Sequence, residues 1–279
     1  RIKLSMDRTN WQFGKVGLNF LVLSAVYRGI AVPLFWEALP KKKGNSSPEE
    51  RIAILKRFID CFSKERIDCV LADREFIGKK WFAWLFEQDI SFHIRVKHNL
   101  ITTNARGLEV YIHGLFYSLC CGEKLVLPKS RKLYGQQVYL TGARSKGGDL
   151  WIIASLNQTE EAVENYRQRW QIETLFGCLK SKGFCFEETH MTKKERIEKL
   201  FAVLSMAFCW AHKVGELRHQ EEKPILVKKH GRKQFSFFRY GFDMIRKILF
   251  HLQEKTKQFM KSLEALSTPY CFSLHEETI

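Results

Sequence analysis

The side chains of this 279-residue sequence most suited to chemistry are three carboxylates and the cations beside one of them. Tyr166, Arg169, Glu173 and Lys180 share a stretch with no proline and with apolar residues at Ile172, Leu175, Phe176 and Leu179. That spacing predicts an amphipathic helix. At 100° per residue the four polar groups fall within an arc of about 60° over four turns, and the apolar ones fill the adjoining sector. One face packs, and its neighbour offers a carboxylate flanked by two cations and a phenol. Trp170 falls off that arc. Arg and Glu four apart also form solvated ion pairs on many helices, worth a few tenths of a kcal/mol. The stretch alone therefore decides nothing.

Two aspartates change its weight. Ile2, Leu4 and Met6 alternate with Lys3, Ser5 and Asp7, which predicts a short half-buried strand ending on a carboxylate. Aspartate is disfavoured in strands and common in turns. Cys69 to Ala72 is an unbroken apolar run, as in a central strand covered on both faces, and it stops at Asp73. Strand ends of mixed sheets are where ligand sites gather. Three carboxylates brought together repel one another and need cations. Hard oxygen donors favour Mg²⁺ or Mn²⁺, held by a few carboxylates and by substrate phosphates. Two such ions about 3.5–4 Å apart stabilise the attacking and leaving oxygens of an in-line phosphoryl displacement. Arg169 and Lys180 would hold backbone phosphates beside them.

The elements that must position these groups follow from periodicity. Gly17–Tyr27 and Ile30–Ala38, joined at Arg28-Gly29, complete an antiparallel meander with the first strand. Ser47 caps a helix with Pro48 at its first position, and Ile52, Leu55, Phe58, Ile59 and Phe62 form its stripe. The Cys69–Ala72 strand precedes a short buried helix over Gly78–Glu87. A fifth strand then alternates Phe92, Ile94 and Val96 with an outward basic face of His93, Arg95 and Lys97. Between about 100 and 156, the short runs Val110–Tyr117, Lys124–Leu127, Gln137–Thr141 and Trp151–Ser155 are broken by Gly, Pro and cations. They predict a small antiparallel subdomain. Helical periodicity resumes near Thr159. A further helix opens on a capping box at Thr192 and Glu195, and Leu200–Trp210 is apolar nearly all round, which predicts burial. A last amphipathic helix covers Phe242 to about Phe259. Lys41–Ser47 and Lys223–Lys233 are basic loops suited to phosphate.

Composition narrows the partners. A net charge of +16 repels itself unless a polyanion balances it, and nucleic acid is the commonest one. The eight cysteines include no Cys-x-x-Cys pair and no histidine at zinc-finger spacing, so the expected state is reduced, cytoplasmic and free of metal on sulfur. Val16–Leu39 is broken by Arg28-Gly29, and Leu200–Ala211 falls short of a bilayer span, so no membrane insertion is expected.

Tyr166-(2)-Arg169-(3)-Glu173-(6)-Lys180 resembles the Tyr-Arg-Glu-Lys signature of bacterial insertion-sequence DDE transposases, the cut-and-paste group. Asp7 in Met-Asp-Arg-Thr and Asp73 in Ala-Asp-Arg-Glu look like that family's first and second catalytic aspartates. The resemblance runs over about residues 1–215. It implies an α/β fold, a ribonuclease-H-like mixed sheet flanked by helices, with a β-rich insertion before the catalytic glutamate helix. Its segments would be core at 1–99, insertion at 100–156, core again at 157–215, and a basic loop with helices at 216–279. It implies catalytic and metal-binding roles for Asp7, Asp73 and Glu173 with two Mg²⁺ or Mn²⁺ ions. The activity implied is cleavage of double-stranded DNA at transposon ends, then transfer of the freed 3′-hydroxyl into target DNA by a dimer on paired ends, in a bacterial cytoplasm. Related enzymes pass through a DNA hairpin and flip a base onto a tryptophan, for which Trp151 looks like the counterpart. Arg95 resembles a phosphate-contacting arginine, and Tyr166, Arg169 and Lys180 would also contact DNA. The helical end-recognition domain expected ahead of Asp7 is absent, so the sequence reads as a fragment. A structure-selective nuclease of the same fold and a non-catalytic DNA-binding relic are the alternatives. Strand transfer and metal-dependent nicking separate the three.

Overall fold

A computed structural model of the chain describes residues 1–40, 43–229 and 231–267. Contacts divide it into two units, the first made of Arg1–Gln12 with Gly17–Leu175 and the second of Phe13–Val16 with the chain from Phe176 on.

The first unit is built on a mixed sheet. Its opening strands are β1 (Ile2–Phe13), β2 (Val16–Tyr27) and β3 (Ile30–Leu39), followed by helix α1 (Pro48–Phe62), β4 (Ile67–Ala72), helix α2 (Lys79–Glu87) and β5 (Phe92–Arg95). They lie in the order β3-β2-β1-β4-β5, with β2 and β3 antiparallel and β1, β4 and β5 parallel. That order and sense are those of a ribonuclease-H-like sheet, as expected. Arg28 and Gly29 both have positive φ, the geometry of a two-residue hairpin turn whose twist matches its strands. Pro33 sits on edge strand β3 where the register shifts, one of the few places a sheet accepts a residue without an N–H.

Strand alternation decides which side chains meet which helices. Leu4 and Met6 of β1 enter the main core with Ile54, Leu55 and Phe58 of α1 and Trp81, Phe82 and Leu85 of α2. Lys3, Ser5 and Asp7 therefore point to the other face. The capping box on α1 forms between Ser47 and Glu50, while Phe62, placed in its buried stripe from the sequence, is 47% exposed. β1 is longer than its alternating segment suggested and runs through Asp7 to Phe13. What ends at Asp7 is the pairing with β4, whose last matched residues are Met6 and Ala72. Asp7 and Asp73 are thus the next residue on each of two adjacent parallel strands.

Residues 100–156 extend this sheet. β10 (Gln136–Arg144) and β11 (Leu150–Ser155) form a hairpin, and β11 pairs antiparallel with β5. β8 (Lys124–Val126) and β9 (Arg131–Leu133) pair with β10, and β6 (Ile101–Thr103) with β7 (Glu109–Tyr111) makes a separate ribbon. The Val110–Tyr117 run is strand only to Tyr111. A 3-10 turn over Ile112–Phe116 follows, because Ile112 and Phe116 are drawn into the main core. Gly142 of β10 lies so close to the Phe116 ring that a Cβ there would overlap it.

The predicted helix over Tyr166–Lys180 is two helices, α3 (Ala162–Gln168) and α4 (Trp170–Leu179). Arg169 sits at the joint, where its N–H bonds Tyr166 O and the Ile172 N–H bonds Arg169 O, a tightened turn of i→i+3 type. α3 covers the second face of the sheet, with Ala162, Val163 and Tyr166 against Ala143, Ile153 and Trp151.

In the second unit, α5 (Lys194–Glu221) is followed by α6 (Phe237–Phe250) and α7 (Thr256–Ser267). The capping box at Thr192 does not form: the N-cap is Lys193, without a side-chain bond. Leu200–Trp210 is not buried all round, since Val203 is 53% and Met206 63% exposed. By length and composition α5 could cross a bilayer, but 44% of its most apolar window is buried within the protein. The last predicted helix is instead two, split after Phe250. A Cβ on Gly215 or Gly241 would run into the backbone of the facing helix, so α5 and α6 pack at close range through these two glycines. Lys41, Lys42 and His230 of the basic loops lie outside the described residues.

Candidate active site

The middle of β1, the end of β4 and the α3–α4 joint with the first turn of α4 bring Asp7, Asp73, Tyr166, Arg169 and Glu173 together. Arg169 is the centre. Its Nη1 donates to Asp7 Oδ2 at 3.0 Å and its Nη2 to Glu173 Oε1 at 2.6 Å. One guanidinium therefore joins a strand residue to a helix residue 166 positions further on. The Tyr166 hydroxyl donates to Asp73 Oδ1 at 3.0 Å. Each aspartate also accepts the N–H of the arginine that follows it, Arg8 on Asp7 and Arg74 on Asp73, at 2.7 Å in both cases. A side-chain oxygen taking the next backbone N–H holds a carboxylate at a fixed angle to its strand.

The loop that carries Asp73 is fastened from α1. Buried Arg51 donates from Nη2 to Glu75 O at 3.0 Å, from Nη1 to Ile77 O at 3.2 Å and from Nε to Ser46 Oγ at 2.9 Å. The same loop is tied to β1 by a two-bond pair, Arg8 Nε to Glu75 Oε1 at 3.2 Å and Nη2 to Oε2 at 3.1 Å. Arg8, Arg51 and Glu75 were not singled out from the sequence. The signal that could have flagged two of them is the Asp-Arg pair repeated at Asp7-Arg8 and Asp73-Arg74, with Glu75 one position beyond the second.

Charge is out of balance here. Burial pushes the Asp7 carboxyl up to about 7. Arg169 and the Arg8 N–H oppose this, while Glu75 and Glu173 add to it. Burial also pushes the Tyr166 phenol up to about 12, so it is a neutral donor to Asp73 at physiological pH. For Arg169, burial works against the charge, but Tyr166, Asp7 and the Glu173 hydrogen bond outweigh it and hold the guanidinium above the ordinary arginine value. Its Nε is buried without a hydrogen-bond partner among the described residues.

The other predicted residues fall in two places. Trp151 stands edge-on to Tyr166 with ring centroids 6.1 Å apart, and the guanidiniums of Arg95 and Arg167 each lie 5.8 Å from its ring centre, within range of cation–π attraction. Lys180 follows the end of α4 and belongs to the second unit. The outward basic face expected on β5 is corrected at His93, which is buried. Its Nδ1 meets Ser155 Oγ at 2.9 Å and its Nε2 meets Asn165 Nδ2 at 3.3 Å, while Lys3 Nζ donates to Asn165 Oδ1 at 2.8 Å. Burial pulls the His93 pKa down to about 4. A neutral ring accepts from Asn165 and donates to Ser155, so both nitrogens are satisfied.

Among the described residues no three His, Cys, Asp or Glu side chains converge closely enough to hold a metal ion. The three carboxylates are spread over Arg169 and Tyr166 instead. Their chemistry still fits a divalent cation. All donors are hard oxygens, and one guanidinium, Arg169, is shared between two of the three carboxylates.

Residues 44–210, more than half of the chain, match the family described as Transposase DDE domain. That span includes Asp73, Trp151, Tyr166, Arg169, Glu173 and Lys180, and Asp7 lies ahead of it. Among solved structures, the chain is similar to a piggyBac transposase in a synaptic complex with hairpin DNA, at 12% identity and a TM-score of 0.44. The similarity covers 99% of this chain, which spans 60% of that one. No curated protein sequence matches.

Proposed function

The chain belongs to the transposase DDE domain family, whose general activity is DNA cleavage and transfer, and we propose that it is the catalytic core of a cut-and-paste transposase of the bacterial insertion-sequence group with the Tyr-Arg-Glu-Lys signature. The reading rests on one observation: Asp7, Asp73 and Glu173, far apart in sequence, are tied to one arginine and one tyrosine of the same signature. Surface decoration on a helix would not reach two adjacent strands.

In this proposal Asp7, Asp73 and Glu173 would hold Mg²⁺ or Mn²⁺, which would supply Lewis-acid polarisation of the scissile phosphate and activation of the nucleophile. The chain's own groups supply the rest. The paired strands β1 and β4 fix the two aspartates side by side, and Arg51 and the Arg8–Glu75 pair hold the Asp73 loop still. Tyr166, Arg169 and Lys180 bind backbone phosphate, and Arg95 steadies DNA beside Trp151, whose ring would receive an unstacked base. Residues 1–99 and 157–215 form the catalytic core around the 100–156 insertion, and a second copy completes the complex on paired ends.

Joining assays test the proposal with the element's own terminal sequences, a supercoiled target and Mg²⁺. Covalent joining of the 3′-ends to target supports it. Nicking without joining assigns the chain to the nucleases, and metal-independent binding alone assigns it to non-catalytic DNA-binding proteins.

A further inference from the structure

We infer that Arg169 is a positioning residue that stands in for the cation, closing the site before substrate arrives, so that metal loading and DNA loading are coupled. The inference rests on the metal-site reading above and adds how that site is regulated.

Arg169 is only 4% exposed, with its guanidinium 5.4 Å from the centre of the buried Tyr166 ring. Both of its Nη atoms are spent on carboxylates proposed as metal ligands, and its buried Nε has no hydrogen-bond partner among the described residues. A side chain placed there for packing alone would leave Asp7 and Glu173 to repel each other across the strand–helix gap. Arg169 supplies one positive charge where a divalent ion would supply two. The cluster is thus held together by a single charge shared between two carboxylates.

An ion entering this site must displace Arg169 from at least one carboxylate. A buried guanidinium set free without a partner is costly, so displacement is unfavourable unless a new anion takes it. Duplex DNA provides that anion, because a phosphate accepts the same two-pronged donor geometry as a carboxylate. Tyr166 can follow the same exchange, giving up Asp73 Oδ1 and turning its hydroxyl to phosphate. The protein without DNA then binds metal weakly and is protected from idle hydrolysis. DNA raises its metal affinity, and by linkage metal raises its DNA affinity by the same factor.

The test is Mn²⁺ binding by calorimetry to the whole chain, with and without a duplex oligonucleotide at low salt. Wild type is expected to bind weakly alone and at least about tenfold more tightly with DNA, in the usual range of coupling between sites. Arg169→Gln should bind Mn²⁺ about tenfold more tightly than wild type without DNA and gain little from adding it. Arg169→Lys, which restores the charge, should return affinity toward wild type. An Arg169→Gln variant that binds Mn²⁺ no better than wild type overturns the inference but leaves the metal site standing. If neither protein binds Mn²⁺ in a manner lost on Asp73→Asn, the metal-site reading falls, and the inference with it. Should Arg169→Gln fail to fold, the side-chain nitrogen resonances of Arg169 in the wild type decide the matter. They must shift when Mg²⁺ and DNA are both present, and unchanged resonances contradict the inference.

Discussion

Helix α3 and the joint behind it serve two polar clusters, and these are opposite solutions to burial. At Asn165 the helix closes a chain from Lys3 through His93 to Ser155 in which every participating nitrogen and oxygen has its partner. One residue later Tyr166 opens onto Asp73, and beyond it Arg169 spans Asp7 and Glu173. The first cluster is neutral at its histidine and needs nothing further. The second gathers Asp7, Glu173 and Glu75 on two guanidiniums and Asp73 on a phenol, and burial pushes Asp7 up to about 7. A satisfied network fixes geometry, whereas an undercharged one invites a ligand. The first cluster sets the rotation of α3, and so it aims the second.

The two clusters should respond differently to loss of a member. The largest effect belongs to the open site: Asp73→Ala or Glu173→Ala should reduce Mg²⁺-dependent cleavage by about 10³-fold or more, since metal stabilisation of the transition state is worth several kcal/mol. DNA affinity in filter-binding or anisotropy assays should change by no more than about twofold. Cleavage that survives either substitution removes that residue from the site.

The closed cluster should fail in stability instead. Asn165→Leu strands His93 Nε2 and Lys3, and urea unfolding should register a loss of about 1–3 kcal/mol. Asp7→Asn should do the reverse in the metal-free chain at pH 8, raising stability by a few kcal/mol at most, at ~1.4 kcal/mol per pKa unit. If Asp7→Asn destabilises as much as Asn165→Leu, the two clusters are not different in kind.

Their pH dependences should also oppose each other. The folded value at Asp7 lies above its ordinary 3.8, so its stabilising contribution is full below that value and is lost as pH rises through about 7. The folded value at His93, about 4, lies below 6.5. Its contribution is full above 6.5 and is lost as pH falls through about 4. Between pH 4 and 7 the Asp7→Asn chain should therefore gain stability with pH more steeply than wild type, and parallel curves would show that Asp7 titrates normally.

The smallest effects concern DNA. Arg169→Ala and Lys180→Ala should each lower the slope of log affinity against log salt by about one. An unchanged slope for Lys180 would make it a surface cation and nothing more.

What the sequence could reveal follows from what periodicity encodes. Alternation along Ile2–Asp7 correctly put Asp7 opposite Leu4 and Met6, and the apolar run before Asp73 correctly marked a central strand. Helical spacing grouped Tyr166, Arg169 and Glu173, but it could not say what they face. Arg169 was therefore read as a phosphate contact and not as the link between carboxylates. His93 was misread because alternation shows only which residues share a face. That face of β5 lies under α3, and burial there depends on a helix about 70 positions away. The Thr192 capping box failed for a similar reason: a local signal sets a helix start only where nothing stronger decides it.

The most direct test of the central claim is anomalous diffraction from Mn²⁺ in crystals of the chain bound to duplex DNA. The account predicts Mn²⁺ held by carboxylate oxygens of Asp7, Asp73 and Glu173 at about 2.0–2.2 Å, with Arg169 withdrawn onto a phosphate. Mn²⁺ held by other ligands, or Glu173 still paired with Arg169 beside bound metal and DNA, would contradict it.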